Sequence, residues 1–330
     1  MVLAAGLGQR MRPLTLLRAK PVLPVLNRPL LHWTLRRLAR AGVRDVVVNL
    51  HHLPETVVAA LGDGRELGLR IRYSEEEVIL GTGGGPRAVR RRLGSEPFLL
   101  LNGDVWFDFD LRTLLRAHRQ SGACATLALR ANPDPSHYTP VVTDRRGRIR
   151  AIGGQPAPAT GSVSLFAGIH ALSPALLERL PPGVSDSVRE LYLPLLAEGR
   201  PLAGVRLRGA WYDLGRPALY RDAQLRLLPG GRSLVAASAR VAKGARLERS
   251  VVGKAARVGA ARVERSVLWD GAVVEAGARL SGAIVTTGGV VRGGERARRV
   301  TVLPAAALPD ERSAGGRVER HGDMAWVEME

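Results

Sequence analysis

Cysteine is all but absent from this chain, with Cys124 the only one in 330 residues. That excludes an internal disulfide and points to a reducing compartment, so a cytoplasmic setting is expected. Aromatic residues make up only 4%, too few to build the platform on which nucleobases stack. Long apolar runs are lacking too. No stretch reaches the roughly 18 residues of a membrane span, and no charged region followed by an apolar core opens the chain, so neither a span nor a signal peptide is expected. The last shortage is lysine: of 49 basic residues only Lys20, Lys243 and Lys254 are lysines, and the other 46 are arginines.

What the chain has is positive charge. A formal net charge of +19 raises nucleic-acid binding as a reading. The arginines are spread along the sequence, however, and the longest run is the three at 90–92. A solvated, arginine-favouring surface accounts for this balance, and phosphorylated small molecules suit it; no nucleic-acid and no membrane partner is expected. With 45% apolar residues over this length, there is room for one large α/β domain and a smaller one.

Through the first half, β-rich runs alternate with helical patterns. VLAAG (2–6), VRDVVVNL (43–50), LRIRYS (69–74), PFLLLNGD (97–104) and ACATLALRA read as strands. Leu31, Leu35 and Leu38 share a helix face, as do Leu111, Leu114, Leu115 and His118. Further helices are expected near 55–61, 85–93, 174–180 and 186–198, with a hairpin turn at TDRRGRI. This alternation predicts a Rossmann-like, mostly parallel sheet with helices on both faces. LLPGGRS (227–233) reads as a linker, giving domains 1–228 and 229–330.

Beyond Ser233 the texture changes. Aliphatics at Val241, Leu247, Val252, Val258, Val263, Leu268, Val274, Leu280, Val285 and Val291 step by five or six, each with Ala, Ser or Gly two residues earlier. That rhythm fits neither a 3.6-residue helix nor an up-and-down sheet. It fits a parallel β-helix, in which each short strand sends one aliphatic into a narrow prism.

Chemistry concentrates near the start. Gly6 and Gly8 follow a strand, where a backbone without Cβ can turn sharply and aim N–H groups at an anion. Neither a Walker loop nor G-x-G-x-x-G is present. Arg10, Arg12 and the isolated Lys20 add three cations within a few residues. Asp104 ends a buried strand, where ligands bind in open α/β sheets. Asp110 is placed to cap the next helix, and Asp108 has no role that the sequence argues. His51 and His52 are adjacent and point apart, which argues against a two-histidine metal site. Glu75–Glu77 read as a solvated acidic loop.

The stretch LAAGLGQRMRPLT…AKPVLPV resembles the signature of the sugar-1-phosphate nucleotidylyltransferases, which make nucleotide sugars. Gly6, Gly8, Arg10, Pro13, Leu14, Thr15, Lys20 and Pro21 match it, and the resemblance runs over essentially the whole chain. Gln9 stands where threonine or serine is common, and Ala19 where proline precedes the lysine. The family carries a few more residues before the first strand, which raises a start upstream of Met1.

The resemblance implies a nucleotidyltransferase domain followed by a left-handed parallel β-helix. It implies nucleotide contacts from Leu3, Ala4, Ala5, Gly6, Gly8, Gln9 and Arg10, and from the turn Gly81, Thr82, Gly83. Catalytic roles fall to Arg10, Lys20 and Asp104, with Mg²⁺ held by Asp104 and by Asp213 in WYDLG. Lys20, Gly168 and Asp213 are implied for the sugar phosphate. An ammonium is a compact point charge, which explains one lysine kept in an arginine-writing chain. Gly154-Gln155-Pro156 lacks the glutamate-lysine pair with which several members grip that phosphate.

The implied partners are a nucleoside triphosphate and a sugar-1-phosphate, with homo-oligomer contacts through the β-helix. The repeat region resembles that of mannose-1-phosphate guanylyltransferases. VNLHHL and TGGGP are closer to N-acetylmuramate-1-phosphate uridylyltransferases, which usually lack such a tail. GTP with mannose-1-phosphate is the expectation, and UTP with N-acetylmuramate-1-phosphate the alternative. A regulatory subunit that binds nucleotide sugar without turnover is the rival from another class. Acyltransfer on the β-helix would need a histidine base, and 234–303 contains none.

Overall fold

The computed structural model describes residues 1–131 and 138–329. Packing divides them into two compact units, Met1–Gly6 with Trp33–Trp211, and Leu7–His32 with Tyr212–Glu330.

The first unit is built on a nine-stranded sheet. Its strands are β1 (Val2–Leu3), β2 (Asp45–Leu50), β3 (Arg70–Glu75), β4 (Phe98–Asn102), β5 (Ala125–Arg130), β6 (Pro140–Thr143), β7 (Ile149–Ile152), β8 (Ser162–Leu172) and β9 (Leu202–Arg206). The order is β7-β6-β8-β4-β1-β2-β3, with β5 pairing β8 and β9. Strands β4, β1, β2 and β3 run parallel, and β8 is antiparallel to β4. The parallel strands are apolar almost throughout: Val46, Val47, Val48 and Leu50, and Leu99, Leu100 and Leu101, are all buried. Burial on both faces favours such continuous runs over alternation.

Among the described residues the α-helices of five residues or more are α1 (Leu30–Arg40), α2 (Pro54–Leu61), α3 (Gly81–Ala88), α4 (Leu111–Ser121), α5 (Leu193–Ala197) and α6 (Pro217–Leu227). Asp110 caps α4 by accepting the Arg112 N–H at 3.0 Å. Helix α3 starts at Gly81, four residues before the expected position. Its first turn is docked on a later loop, described below. The expected helix at 186–198 is a π-helical turn, Val188–Tyr192, leading into α5. The TDRRGRI hairpin joins β6 to β7, and the Asp144 carboxylate closes it by accepting the Arg146 and Arg148 N–H groups at 2.9 Å each.

In the second unit, a left-handed parallel β-helix stacks short strands into three faces. One holds 234–235, 251–252, 267–268, 284–285 and 300–304; the next 240–241, 257–258, 273–274 and 290–291; the third 246–248, 262–264, 279–281 and 296–298. Val252, Val258, Val263, Leu268, Val274, Leu280, Val285 and Val291 fill one interior cluster. The hairpin 318–321/324–328 pairs antiparallel with Val300–Pro304, and its Met324 and Trp326 close the end of that core. Terminal capping of this kind is what a solenoid requires.

The same unit contains the glycine-bearing segment. Leu16 and Leu17 pack on Leu303, Leu308, Ala314, Ala325 and Val327. The Leu26 N–H donates to the Gln224 side chain at 2.9 Å, and the Asn27 amide donates to the Val252 carbonyl at 2.9 Å. Tyr220 donates its hydroxyl proton to the Pro24 carbonyl and accepts from the Trp269 indole at 3.1 Å.

Candidate active site

In the first unit, the candidate residues collect at the carboxyl ends of adjacent parallel strands. Leu3 ends β1 in register with Asn102 of β4. The Gly103 N–H donates to the Leu3 carbonyl at 2.8 Å, leading into the half-buried Asp104. Gly168 has φ +72 where the register of β8 shifts, and a Cβ there would lie 2.8 Å from the Asn102 amide nitrogen. Glycine therefore lets β8 close onto the end of β4. Trp211 fastens the neighbouring backbone, its indole donating to the Ala167 carbonyl at 3.0 Å.

Beside β1 lies a buried polar network that the sequence reading missed. The Ala4 N–H donates to Asn49 Oδ1 at 2.7 Å, and Asn49 Nδ2 donates to Glu76 Oε1 at 2.8 Å. The Leu80 N–H, just before Gly81, donates to Glu76 Oε2 at 2.9 Å. His51 Nδ1 sits 2.8 Å from the Glu76 carbonyl. Glu76 is only 8% exposed, so it is not part of a solvated acidic loop: hydrogen bonds with Asn49, Leu80, His51 and Leu50 hold it inside. Its link to Ala4 and Leu80 ties together the two backbone segments expected to meet the nucleotide. Asn49 in VNLHHL and one acid among three were the only signals.

The Gly81–Gly83 turn is packed rather than open. The Gly83 N–H donates to the Ser185 carbonyl at 2.8 Å, and a Cβ on Gly81 would lie 2.5 Å from that same oxygen. Thr82 donates its hydroxyl proton to Asp186 at 2.8 Å and accepts from the Ser187 N–H at 2.8 Å. Asp186 also accepts from the Val188 and Arg189 N–H groups, each at 2.9 Å. Asp186 and Arg189, with Tyr138, Thr139, Gln155 and Phe166, line a cavity of about 640 Å³ that Leu127, Val141, Ile152, Leu165, Val188 and Leu193 also line. Asp108 faces Arg37 at 3.6 Å.

In the second unit, Gly8 has φ +63, and a Cβ on it would lie 2.8 Å from Thr15 Cγ2 and 3.2 Å from Lys20 Cβ. The Gly8 carbonyl accepts from the Thr15 hydroxyl at 2.9 Å and the Met11 N–H at 2.8 Å. These bonds fold the loop over a buried Lys20, while Gln9 and Arg10 stay exposed. Asp213 is half-buried, its carboxylate 3.1 Å from where a Gly215 Cβ would stand. That glycine leaves room beside the carboxylate.

Among the described residues no three His, Cys, Asp or Glu side chains cluster as a metal cage. The candidate donors are carboxylates alone, which suits a hard divalent cation that keeps waters and substrate oxygens. No helix among the described residues is long and apolar enough to cross a membrane.

Comparisons with known proteins place the chain in a family. Residues 1–229 match the nucleotidyl transferase family, and residues 222–297 match the GlmU-like C-terminal hexapeptide family. The chain belongs to the nucleotidyl transferase family and carries a hexapeptide-repeat C-terminal region. It is 36% identical to the mannose-1-phosphate guanylyltransferase of Mycobacterium tuberculosis, over 84% of this chain and 81% of that protein. It is 32% identical to a UTP–glucose-1-phosphate uridylyltransferase of Synechocystis, over 68% of this chain, and spans 61% of that relative's length. A solved Bacillus anthracis structure, assigned as a glucose-1-phosphate thymidylyltransferase, shares the fold with a TM-score of 0.58 at 22% identity, over 68% of this chain and 92% of that one.

Proposed function

We propose that this enzyme transfers a nucleotidyl group from a nucleoside triphosphate to a sugar-1-phosphate, giving a nucleotide sugar and pyrophosphate, with GTP and mannose-1-phosphate as its substrates. The observation that carries the reading is the similarity to the Mycobacterium tuberculosis guanylyltransferase, which extends through the catalytic region into the repeats.

In this reading an oxygen of the sugar phosphate attacks the α-phosphorus in line, and the α–β bond breaks with pyrophosphate leaving. The protein's part is alignment and neutralisation of charge. Arg10 meets the β- and γ-phosphates. Lys20 meets the sugar phosphate or the α-phosphate, its short reach from the Gly8 turn fixing where the ammonium sits. Asp104 and Asp213 would hold Mg²⁺, which when bound screens the phosphate oxygens. The ends of β1 and α3, tied through Asn49 and Glu76, hold the nucleotide. Gly168 admits the sugar close to the backbone.

A second substrate pair has its own support. The cavity beside Gln155 has an apolar wall of Leu127, Val141, Ile152, Leu165, Phe166, Val188 and Leu193 and no lysine. Such a lining suits a sugar bearing an acyl or alkyl group, as in UTP with N-acetylmuramate-1-phosphate.

Pyrophosphate release, measured with five nucleoside triphosphates crossed against a panel of sugar-1-phosphates, tests both. Highest turnover is expected with GTP and mannose-1-phosphate. Preference for UTP with the acylated sugar selects the second pair, and no release with any pair leaves only a binding role.

A further inference from the structure

The third face of the β-helix carries arginines in strict register. Arg246 pairs with Arg262, Arg262 with Arg279, and Arg279 with Arg296. All four are exposed. Like charges stacked on neighbouring strands repel one another, so an array of this kind is costly when nothing opposes it. Only Arg262 finds relief, from Glu264 on its own strand. Among the described residues Arg246, Arg279 and Arg296 form no ion pair. Arg249, Arg265 and Arg299 stand at the adjoining corner, and Arg298 lies on the same face, against Glu248 and Glu264 as the acids there.

We propose that this face docks an acidic α-helix of a partner protein, laid along the β-helix axis. Spacing is the argument. Strands in a sheet lie about 4.8 Å apart, so the arginine stems leave the backbone at that interval. On an α-helix, side chains one turn apart on the same face recur every ~5.4 Å. The mismatch is about 0.6 Å per step, within the reach of flexible arginine stems. An extended acidic peptide repeats on one side every ~6.7 Å and falls out of step by the third rung. No aromatic side chain stands on this face to stack a base, and no apolar one to enter a lipid surface. Guanidiniums also bind carboxylates as planar forks. None of the helices α1–α6 of this chain carries an acidic stripe, so the occupant is a different protein.

The test uses the full chain and two alanine-rich helical peptides of identical composition. One bears glutamates at i, i+4, i+7 and i+11 along one face; the other has the same glutamates scattered around the helix. The striped peptide is expected to bind about tenfold or more tighter, with affinity falling as salt rises. Arg246→Gln, Arg279→Gln and Arg296→Gln combined should abolish that preference while pyrophosphate release stays unchanged. Arg240→Gln with Arg257→Gln, on the neighbouring face, should leave it intact. Equal affinity for the two peptides, survival of the preference in the triple variant, or tighter binding of duplex DNA than of the striped peptide would each overturn the proposal.

Discussion

Glu76 is a buried carboxylate whose partners are an amide and a backbone N–H rather than a cation. Removing it as Glu76→Ala strands the buried Asn49 amide and the half-buried Leu80 N–H, a loss of about 1–3 kcal/mol in chemical denaturation. Because the same carboxylate spans the ends of β1 and α3, the Km for the nucleoside triphosphate should rise while that for the sugar phosphate holds. Glu76→Gln, which keeps one acceptor, should recover part of both; equal loss in the two Km values would make the residue merely structural. In the proposed reaction Arg10 and Asp104 meet charge that develops on the phosphates, so Arg10→Ala or Asp104→Ala should lower turnover by ~10² or more. Turnover within about threefold of the parent would refute those roles. His170 offers a pH readout. Burial pushes its pKa down to about 3, and it is hydrogen-bonded to Tyr192. The unfolded chain takes up a proton near pH 6.5 that the folded chain refuses. Stability should therefore fall as pH drops below that value, by at most ~1.4 kcal/mol per unit. His170→Asn should flatten the slope of melting temperature against pH.

Among elements, the start of α3 shows where local sequence stops being informative. The resemblance implies nucleotide contacts from its glycines. In the structure they admit Gly183–Ser187, whose Ser185 carbonyl takes the Gly83 N–H. That partner lies about a hundred residues downstream, and no periodicity announces it. Thr82 likewise spends its hydroxyl on Asp186. Gly81→Ala combines a φ of +76 with a backbone oxygen 2.5 Å from the new Cβ. A loss of about 3 kcal/mol is expected in denaturant titration, from strain and overpacking together. A loss under about 0.5 kcal/mol would mean the loop yields freely. The β-helix strands were legible because each coil contacts only its neighbours and so must repeat its own pattern, although Val241, in an early coil, is exposed rather than inside the prism.

On the scale of the molecule, the parallel strands of the sheet and the solenoid that follows could be read from hydrophobic rhythm, because valine runs and hexapeptide steps are local signals. What rhythm could not show is the company kept by residues 7–32. Pro24 receives the Tyr220 hydroxyl, Asn27 reaches the Val252 carbonyl, and Leu16 and Leu17 lie on Leu303 and Val327. The Arg18 guanidinium lies 5.3 Å from the Trp269 ring centre and donates to Thr287 at 3.0 Å. The segment that bears Gly8, Arg10 and Lys20 thus rests on α6 and on the β-helix strands that follow it. A chain cut after Leu228 would keep the sheet, every candidate catalytic residue and the bonds from Tyr220 and Gln224, but strip that segment of its packing on the β-helix. Its Leu16 and Leu17 would then face water. Such a truncation is expected to lose most of its turnover and to aggregate more readily than the full chain, measured by pyrophosphate release and light scattering on matched samples. Full activity with an unchanged melting temperature would show that the β-helix lends the loop no support.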